Sequence, residues 1–418
     1  MQGLAPNRPQ PAFRFAGRAR QGGATHQAVA EGAFELSGGY AFPRCLPDIS
    51  AEAAVAAARH RTETMQYSDV FGLADLRDRL AAYLRADGIG CSRDEIMIVN
   101  GAKHGLDLVC RVFLEPGDRV IVSAPTYMTA LSILRTHEVA FVPVGQDDQG
   151  MKVDELEATL QAMQGQGEPL PKLLFEVPDF HNPTGITMSL ERRKRLVLMA
   201  ERYGFVIVED DPYRRIRFEG EPVPPIKSLD RSGVVITLGT ASKIFAPGLR
   251  TGWVVADPDI LGRMAAQKAD GGTSPLSQRI LAELLDGKRV GRQIETVIGE
   301  LRVHRDAMTD ALLRYMPAAA VTKPQGGYYL WAVLPGNIDA DALADLAAEN
   351  GVMVYPGSLC FAEAPTQSAL RLCFSFEEPS RITDAVKKLG ECLSVLATAS
   401  DSGRHGASSQ VSQRMRTF

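Results

Sequence analysis

Between residues 96 and 209, short apolar runs alternate with stretches whose apolar residues recur at helical spacing. The short runs predict strands at residues 96–99, 120–123, 140–144, 172–177 and 205–209. The stretches between them predict helices at residues 102–113, 127–134, 153–163 and 190–203. Because strands joined by helices run parallel, we expect a mainly parallel sheet with helices on both faces. Two more apolar runs, 234–238 and 252–255, bring this α/β sheet to seven strands.

The chain on either side of this region predicts further elements. Before it lie a strand-like run at residues 34–40, which ends near Gly38 and Gly39, and helices at residues 51–61 and 73–84. After Gly272 we expect a long helical region at residues 274–315, strands at 326–331, near 352 and at 369–374, and helices at 340–349 and 380–396. This later order of strands and helices predicts a smaller α+β unit packed beside the sheet.

The same pattern predicts how the chain divides. We expect a large domain at residues 57–289, a small domain built from residues 31–56 and 290–397, a flexible arm at 1–30 and a disordered tail at 398–418. The arm contains several arginines and no acidic residue before Glu31, but it lacks the serines of a transit peptide, so we expect a mobile arm. The tail is rich in Ser, Gly, Arg and Gln, a composition that does not build a core.

Polar and aromatic side chains follow the ends of the predicted strands. They lie in the segments Asn100-Gly101-Ala102-Lys103, Pro125-Thr126-Tyr127, His181-Asn182-Pro183-Thr184-Gly185 and Glu209-Asp210-Asp211-Pro212-Tyr213. Ligand sites of parallel sheets lie just beyond the carboxyl ends of the strands, and the first segment opens a helix whose N–H groups favour phosphate. Each segment alone is more often a turn, a helix cap or a core tyrosine. Their joint position at one sheet edge predicts a functional site.

Lys243 lies on a loop between the strands at residues 234–238 and 252–255, with Thr240 shortly before it and Arg250 shortly after it. A lysine in this position could form a Schiff base with a carbonyl-bearing cofactor. Thr240 and Arg250 could hold the phosphate of such a cofactor, the arginine through forked donors. A lone Ser-x-Lys is more often an ordinary surface loop, and the upstream segments are what favour a site.

Arg371 interrupts an otherwise apolar strand, beside Leu370, Leu372 and Cys373. A buried arginine needs an anionic partner. We therefore expect Arg371 to bind an anion rather than to be simply solvated.

Composition excludes several classes of function. The 418 residues carry a net charge of -4, which is too slight to indicate nucleic acid or an acidic membrane as partner. The six cysteines include no C-x-x-C pair, which is typical of buried thiols in a reducing compartment, and we expect a cytoplasmic protein. The histidines include no H-x-x-x-H pair, so we expect no metal site, and no apolar run is long enough to span a membrane.

Together these motifs resemble the class I/II aminotransferases of the pyridoxal-phosphate fold type I superfamily, nearest the 2-aminoadipate and kynurenine aminotransferases. The resemblance covers residues 33 to 396 and rests on QY-x-D-x-x-G-x-x-x-LR, PTY, HNPTG, EDDPY, SK-x-x-x-PGLR-x-GW and LRLCFS, which occur in the family's order and spacing. It implies a large domain that binds pyridoxal 5'-phosphate. It also implies transfer of the amino group of an L-α-amino acid to a 2-oxo acid.

The resemblance also implies catalytic roles. Lys243 would form the Schiff base and carry a proton between substrate Cα and cofactor. Asp210 would pair with the pyridine nitrogen, which makes the ring an electron sink. Asn182 and Tyr213 would hold the phenolic oxygen of the ring.

Binding roles follow in the same way. Tyr127 would stack on the cofactor ring, and the phosphate would be surrounded by Ala102, Lys103, Thr240 and Arg250. The substrate carboxylate would be bound by Arg371 with Asn182, and Gly39 would close over the substrate from the other side. Tyr67 resembles a tyrosine that reaches the phosphate of the neighbouring subunit, which implies a homodimer with shared active sites.

Some positions depart from the usual family pattern. Ala102-Lys103 stands where Ser-Gln is more common, so one hydroxyl contact to phosphate is missing and an extra cation is present. Thr240 stands for the usual serine and keeps its hydroxyl. Residues 40–42 and 68–71 replace the more typical Leu-Pro-Asp and Gly-Pro-Thr-Glu at the side-chain end of the family's pocket. The sequence therefore leaves the substrate side chain open.

Two alternatives to transamination remain at this point. A pyridoxal-phosphate lyase, decarboxylase or oxidase of the same fold would share the lysine, the aspartate and the carboxylate-binding arginine. Such an enzyme differs in which bond of Cα is perpendicular to the ring. Some transcription regulators carry this fold behind a DNA-binding unit, but only about thirty residues precede the matched region here, without helical periodicity.

Overall fold

The computed structural model describes residues 32–336 and 338–403, with side chains up to Thr398. The predicted arm at residues 1–30 and the part of the predicted tail after Gly403 lie outside the described residues. No helix in the described ranges is long and apolar enough to cross a membrane.

Fourteen strands occur in this part of the chain. They are β1 (Phe34–Glu35), β2 (Ile96–Val99), β3 (Arg119–Ala124), β4 (Ala140–Asp147), β5 (Gly150–Met151), β6 (Leu173–Glu176), β7 (Val206–Asp210), β8 (Val235–Thr240), β9 (Gly252–Val255), β10 (Ala320–Val321), β11 (Tyr329–Val333), β12 (Val352–Met353), β13 (Tyr355–Pro356) and β14 (Ala369–Cys373).

The α-helices of the same ranges pack around these strands. They are α1 (Ser50–Arg59), α2 (Arg61–Thr64), α3 (Ala74–Arg85), α4 (Ala102–Phe113), α5 (Met128–Thr136), α6 (Val153–Gly165), α7 (Leu190–Tyr203), α8 (Ile226–Leu229), α9 (Pro258–Gln267), α10 (Pro275–Leu284), α11 (Gly287–Tyr315), α12 (Ala340–Glu349) and α13 (Pro379–Gly403).

The large sheet has the strand order β2-β9-β8-β7-β6-β3-β4-β5. Strand β9 pairs antiparallel with both β2 and β8, and β5 pairs antiparallel with β4, while the pairs between β8 and β4 are parallel. The central strands are buried on both faces, as the apolar runs predict. The prediction of a mainly parallel α/β sheet is confirmed, with a short eighth strand, β5, added at the edge.

The direction of the strands determines where the site lies. Strands β2, β3, β6, β7 and β8 all end at the same edge of the sheet, and β9, which runs the other way, begins there. The segments at residues 100–103, 125–127, 181–185, 210–213 and 240–250 are therefore brought together.

A second, antiparallel sheet has the order β10-β11-β14-β13, and the short strands β1 and β12 pair parallel to each other. Helices α11 and α13 pack against each other beside these strands. We propose that these elements form the small domain at residues 31–56 and 290–397, because their sheets are separate from the large one.

Two predicted helices differ from those observed. The region at residues 274–315 is two helices, because the chain turns at Asp286, whose carboxylate accepts a hydrogen bond from the Lys288 N–H and caps α11. The last helix does not end at residue 396 but continues to Gly403, so the predicted tail begins inside this helix.

Candidate active site

A pocket of about 350 Å³ opens at the sheet edge where these strands end, between the large sheet and the antiparallel sheet. All the predicted site residues except Tyr67 line it, namely Gly39, Ala102, Lys103, Tyr127, Asn182, Asp210, Tyr213, Thr240, Lys243, Arg250 and Arg371. The fold therefore collects residues that are as much as 332 positions apart in sequence, from Gly39 to Arg371 (371 minus 39).

One end of the pocket is built to hold an anion. Helix α4 begins at Ala102, directly after Gly101, and the first N–H groups of a helix lack intrahelical acceptors. Arg250 has a left-handed backbone conformation with φ of 49°, and its Nη2 donates to the carbonyl oxygen of Asn100 at 3.2 Å. A Cβ at Gly101 would lie 3.2 Å from the same Nη2, so glycine permits this close approach. Helix N-terminus and guanidinium thus face one volume that suits a phosphate.

The loop before α4 is held by a network that the sequence motifs do not reveal. Asn100 Nδ2 donates to Asp270 Oδ2 at 2.6 Å, and Asp270 Oδ1 accepts from Lys268 Nζ at 2.9 Å. The Gly272 N–H donates to Asp270 Oδ1 at 2.8 Å. Asp270 therefore fixes the residue whose carbonyl orients Arg250. Its approach to Asn100, 170 positions away, depends on the tertiary fold.

Lys243 lies in the middle of the pocket. Its Nζ donates to the carbonyl oxygen of Gly39 at 2.7 Å and lies 4.9 Å from the centre of the Tyr328 ring, while the Tyr328 hydroxyl donates to the Lys243 carbonyl at 2.8 Å. Burial lowers the pKa of Lys243 to about 8, and the positive charges of Arg371 and Lys103 act in the same direction. The lowered pKa increases the neutral fraction of this amine, and the neutral form is the one that can act as a nucleophile and a base.

Two neighbouring aspartates at the end of β7 have different surroundings. Asp211 forms an ion pair with Arg214 at 2.6 Å. Asp210 lines the pocket, is 7% exposed, and its Oδ1 has no hydrogen-bond partner within the described residues. Burial raises the pKa of Asp210 to about 7, and the Asp211 charge acts in the same direction. Asp211 Oδ1 likewise has no hydrogen-bond partner within the described residues, but the charge of Asp211 is compensated by Arg214 and its side chain does not line the pocket. Asp210 is therefore the carboxylate that is open to a donor in the pocket.

The opposite end of the pocket contains Arg371, which is 3% exposed. Its Nη1 donates to Asn182 Oδ1 at 3.2 Å, and its Nη2 donates to the carbonyl oxygen of Ser37. The prediction that Arg371 is buried on an apolar strand is confirmed.

Of the other predicted residues, Tyr213 and Thr240 line the pocket, whereas Tyr67 does not. Burial raises the pKa of Tyr213 well above its usual value, and the neighbouring phenols of Tyr329 and Tyr127 act in the same direction. Thr240 Oγ1 donates to Ser242 Oγ at 2.9 Å, and both residues line the pocket together with Arg250. Tyr67 lies outside the pocket and is 84% exposed, so it makes no contact with the site of its own chain.

Sequence reasoning missed three aromatic residues of the site. Tyr328, Tyr329 and Tyr355 surround Lys243 and Arg371, and the last two line the pocket. Gly326 and Gly327, just before β11, were the available signal that this strand approaches another segment closely. Cβ atoms at both glycines would collide with Phe180. The strand therefore lies close to the loop that carries Asn182.

Comparison with known proteins gives a consistent set of relatives. A family model described as aminotransferase class I and II matches residues 35–389. Aromatic-amino-acid aminotransferase 1 from Thermococcus litoralis is 40% identical over 339 residues, which cover 80% of this chain and 81% of the relative.

Two solved structures are similar over nearly the whole chain. The kynurenine aminotransferase of Pyrococcus horikoshii, solved in complex with PMP, has a TM-score of 0.86 and 35% identity, and the match covers 91% of this chain and 97% of the other. The α-aminoadipate aminotransferase of Thermus thermophilus, solved with N-(5'-phosphopyridoxyl)-L-leucine, has a TM-score of 0.82 and 32% identity. That match covers 89% of this chain and 94% of the other.

The environment of Lys243 predicts its reactivity in the cofactor-free protein. Labelling by trinitrobenzenesulfonate at Lys243 should be half-maximal near pH 8, because the neutral amine reacts and burial lowers its pKa to about 8 from 10.5. Peptide mapping across a pH series measures this, and Lys243→Arg should remove the labelled peptide. A midpoint near the ordinary lysine value would contradict the prediction.

Proposed function

The chain belongs to the class I and II aminotransferase family, and from that premise we propose its substrates and the role of each site residue. It is a pyridoxal-phosphate-dependent enzyme of fold type I that transfers amino groups. We propose that it moves the amino group of an L-α-amino acid with a neutral, aromatic or large apolar side chain to a 2-oxo acid. The observation that carries this proposal is the presence of Lys243, the unpartnered Asp210 and Arg371 in one pocket.

The residues present fit pyridoxal phosphate at both of its ends. Asp210 Oδ1 is buried without a partner among the described residues, which suits the N–H of a protonated pyridine ring. Lys103, Arg250, Thr240 and the amino end of α4, which begins at Ala102, would hold the phosphate. When bound, the cofactor supplies an electron sink that stabilises negative charge at the substrate Cα.

The pyridine ring of the cofactor, between these two ends, would contact a further set of side chains. Tyr127 lines the pocket beside Asn182 and Tyr213, so that its ring can lie against the cofactor. Tyr213 and Asn182 would donate to the phenolic oxygen. Because burial raises the pKa of Tyr213 well above 10, its hydroxyl keeps its proton and remains a donor.

Lys243 performs the proton transfer in this proposal. Its Nζ would bind the carbonyl of the cofactor and would take up the proton from the substrate Cα. At pH 7 a pKa of about 8 leaves roughly a tenth of such amines neutral, against well under a thousandth for a pKa of 10.5. The carbonyl oxygen of Gly39 accepts from the free amine at 2.7 Å and would keep it in the pocket.

Arg371 and Asn182 orient the substrate. The guanidinium would bind the α-carboxylate through two parallel N–H donors, and this fixes the position of Cα relative to Lys243. Gly39 lies on the loop over this end, where a Cβ would collide with the Tyr329 hydroxyl, so a backbone without a side chain closes the pocket.

The lining residues support a neutral substrate side chain. The cations among them are Lys103, Lys243, Arg250 and Arg371, and each already has a role toward cofactor or α-carboxylate. Within the described residues no further cation lines the pocket to bind a second carboxylate. The other walls include mostly aromatic and apolar side chains, together with the hydroxyls of Thr129 and Ser242. Among them are Tyr40, Met128, Ile133, Tyr329 and Tyr355. The name of the Thermococcus relative, which refers to aromatic amino acids, agrees with such a lining.

Two further proposals concern the assembly and location of the enzyme. We propose a homodimer with shared active sites, supported by the exposed Met65 and Tyr67, which are 70% and 84% exposed beside α2. We also propose a cytoplasmic location, supported by six buried, unpaired cysteines. Fractionation of cells that express the tagged chain tests the location.

A half-reaction tests the proposed function. L-Phenylalanine added to the holoenzyme without any oxo acid should release phenylpyruvate in an amount equal to the sites and shift the cofactor absorbance until a 2-oxo acid is added. Release of ammonia or carbon dioxide instead would indicate elimination or decarboxylation. L-2-Aminoadipate should show a kcat/KM lower by roughly tenfold or more, since among the described residues no free cation lines the pocket. A preference for 2-aminoadipate would contradict the neutral side chain.

Asp210→Asn should lower turnover by a factor on the order of 10² or more, about 3 kcal/mol of transition-state stabilisation, because the amide keeps the shape and loses the charge. Steady-state kinetics at saturating cofactor measures this loss. Asp211→Asn is the matched control, since Asp211 pairs with Arg214 and should affect stability more than turnover. Near-normal activity of Asp210→Asn would move the role to Asp211.

Mixed dimers test the shared site. Lys243→Ala and Tyr67→Ala subunits, each impaired alone, should regain about a quarter of wild-type activity when co-expressed. Half of random dimers are mixed, and one of their two sites combines an intact Lys243 with an intact Tyr67 of the other subunit. No recovery, together with a monomer mass in solution, would exclude this arrangement.

A further inference from the structure

Arg371 is buried without a counter-ion of its own. In the described part of the chain its hydrogen-bond acceptors are Asn182 Oδ1 and the carbonyl oxygen of Ser37, and its Nε has none. No carboxylate there forms an ion pair with it. A buried charge without such compensation is costly. Another interaction must therefore hold the guanidinium in place before a substrate carboxylate arrives.

Two tyrosine rings lie against this guanidinium. The ring centres of Tyr329 and Tyr355 are 4.5 and 4.6 Å from Arg371 Cζ. Both distances are within the range of attraction between a cation and an aromatic face. The guanidinium is thus stabilised by the negative faces of aromatic rings rather than by a carboxylate.

The strand register explains why the two rings can approach from different sides. Strand β14, which carries Arg371, lies between β11 and β13. Tyr355 on β13 is the direct cross-strand partner of Arg371. On β11 the direct partner is Trp331, and Tyr329 is two residues away, so it lies on the same face of the sheet. Each neighbouring strand therefore contributes one ring.

We propose that Tyr329 and Tyr355 are positioning residues that hold Arg371 between their rings in the orientation that receives the α-carboxylate. A guanidinium has five N–H donors, all in its own plane. Asn182 and Ser37 use two of them, and the others remain at the edge of that plane. Rings that cover the guanidinium from the neighbouring strands leave this edge free for a coplanar carboxylate. The proposal rests on the proposed role of Arg371 and deepens it.

The test distinguishes the contribution of each aromatic ring from that of its hydroxyl group. Tyr355→Leu and Tyr329→Leu remove a ring, whereas Tyr355→Phe and Tyr329→Phe keep it. The dissociation constant of 3-phenylpropanoate, a carboxylate that has no amine and does not react, is measured with each holoenzyme by calorimetry. Loss of one ring should weaken binding roughly fivefold to thirtyfold, while the phenylalanine variants should stay within about twofold of wild type.

Steady-state kinetics should distinguish the leucine variants from the phenylalanine variants in the same way. For L-phenylalanine the leucine variants should raise KM and lower kcat, because Cα is no longer fixed. Reaction with 2-phenylethylamine, which lacks the carboxylate, should fall by a clearly smaller factor, because it loses only the contact of its phenyl group with the pocket wall. Tyr83→Leu is the matched control, since its ring lies 3.7 Å from the Arg215 guanidinium outside the pocket. Should a leucine variant not accumulate as folded protein, Tyr355→Met or Tyr329→Met takes its place.

Arg371→Lys distinguishes this proposal from the function on which it rests. If this change leaves binding of 3-phenylpropanoate unaltered, the proposed carboxylate-binding role of Arg371 fails. If it weakens binding but the leucine variants bind like wild type, only the positioning role is overturned. Equal weakening in Tyr83→Leu would also overturn it, because the effect would then reflect general destabilisation.

Discussion

Burial of charge without a counter-ion is the constraint on which this active site depends. Asp210, Lys243 and Arg371 line one pocket, and in the described residues none of them forms an ion pair. Burial raises the pKa of Asp210 to about 7 and lowers that of Lys243 to about 8, so burial disfavours the charged form of both side chains. In the proposed function, cofactor and substrate would supply the missing partners. Part of the binding free energy would then come from compensating the charges of Asp210, Lys243 and Arg371.

Two charged groups elsewhere in the core, Arg193 and Glu209, have partners within the chain, and this contrasts them with the charged groups of the site. Arg193 is fully buried and donates to Asp179 and to the carbonyl oxygens of Pro178 and Met188. Glu209, next to Asp210 on β7, accepts from the Ile226 N–H at 2.7 Å. These groups are satisfied within the chain and make the edge of the sheet rigid. A rigid edge is what allows a few unsatisfied groups to remain in fixed positions.

Much of this arrangement could be predicted from the sequence, because the period of apolar residues locates the strands and the useful residues follow their ends. Helices α4, α7 and α12 begin and end where the periodicity predicts. Asp270, Tyr329 and Tyr355 could not be found in this way. Their approach to Asn100 or Arg371 depends on loop geometry and strand register, which link positions far apart in sequence.

In the proposed function, the α-carboxylate of the substrate and its side chain would contact different kinds of structure, a buried strand and a more exposed loop and helix. The α-carboxylate would be received by Arg371 on β14, a strand buried along its whole length. The side chain would meet Tyr40, which is 48% exposed on a loop, and Met128, Thr129 and Ile133 on one helix, α5. Loops and exposed helix ends tolerate substitution better than a central strand does. A change of substrate side chain could therefore be accommodated at α5 and the Tyr40 loop without moving the guanidinium of Arg371, which in the proposed function positions Cα near Lys243.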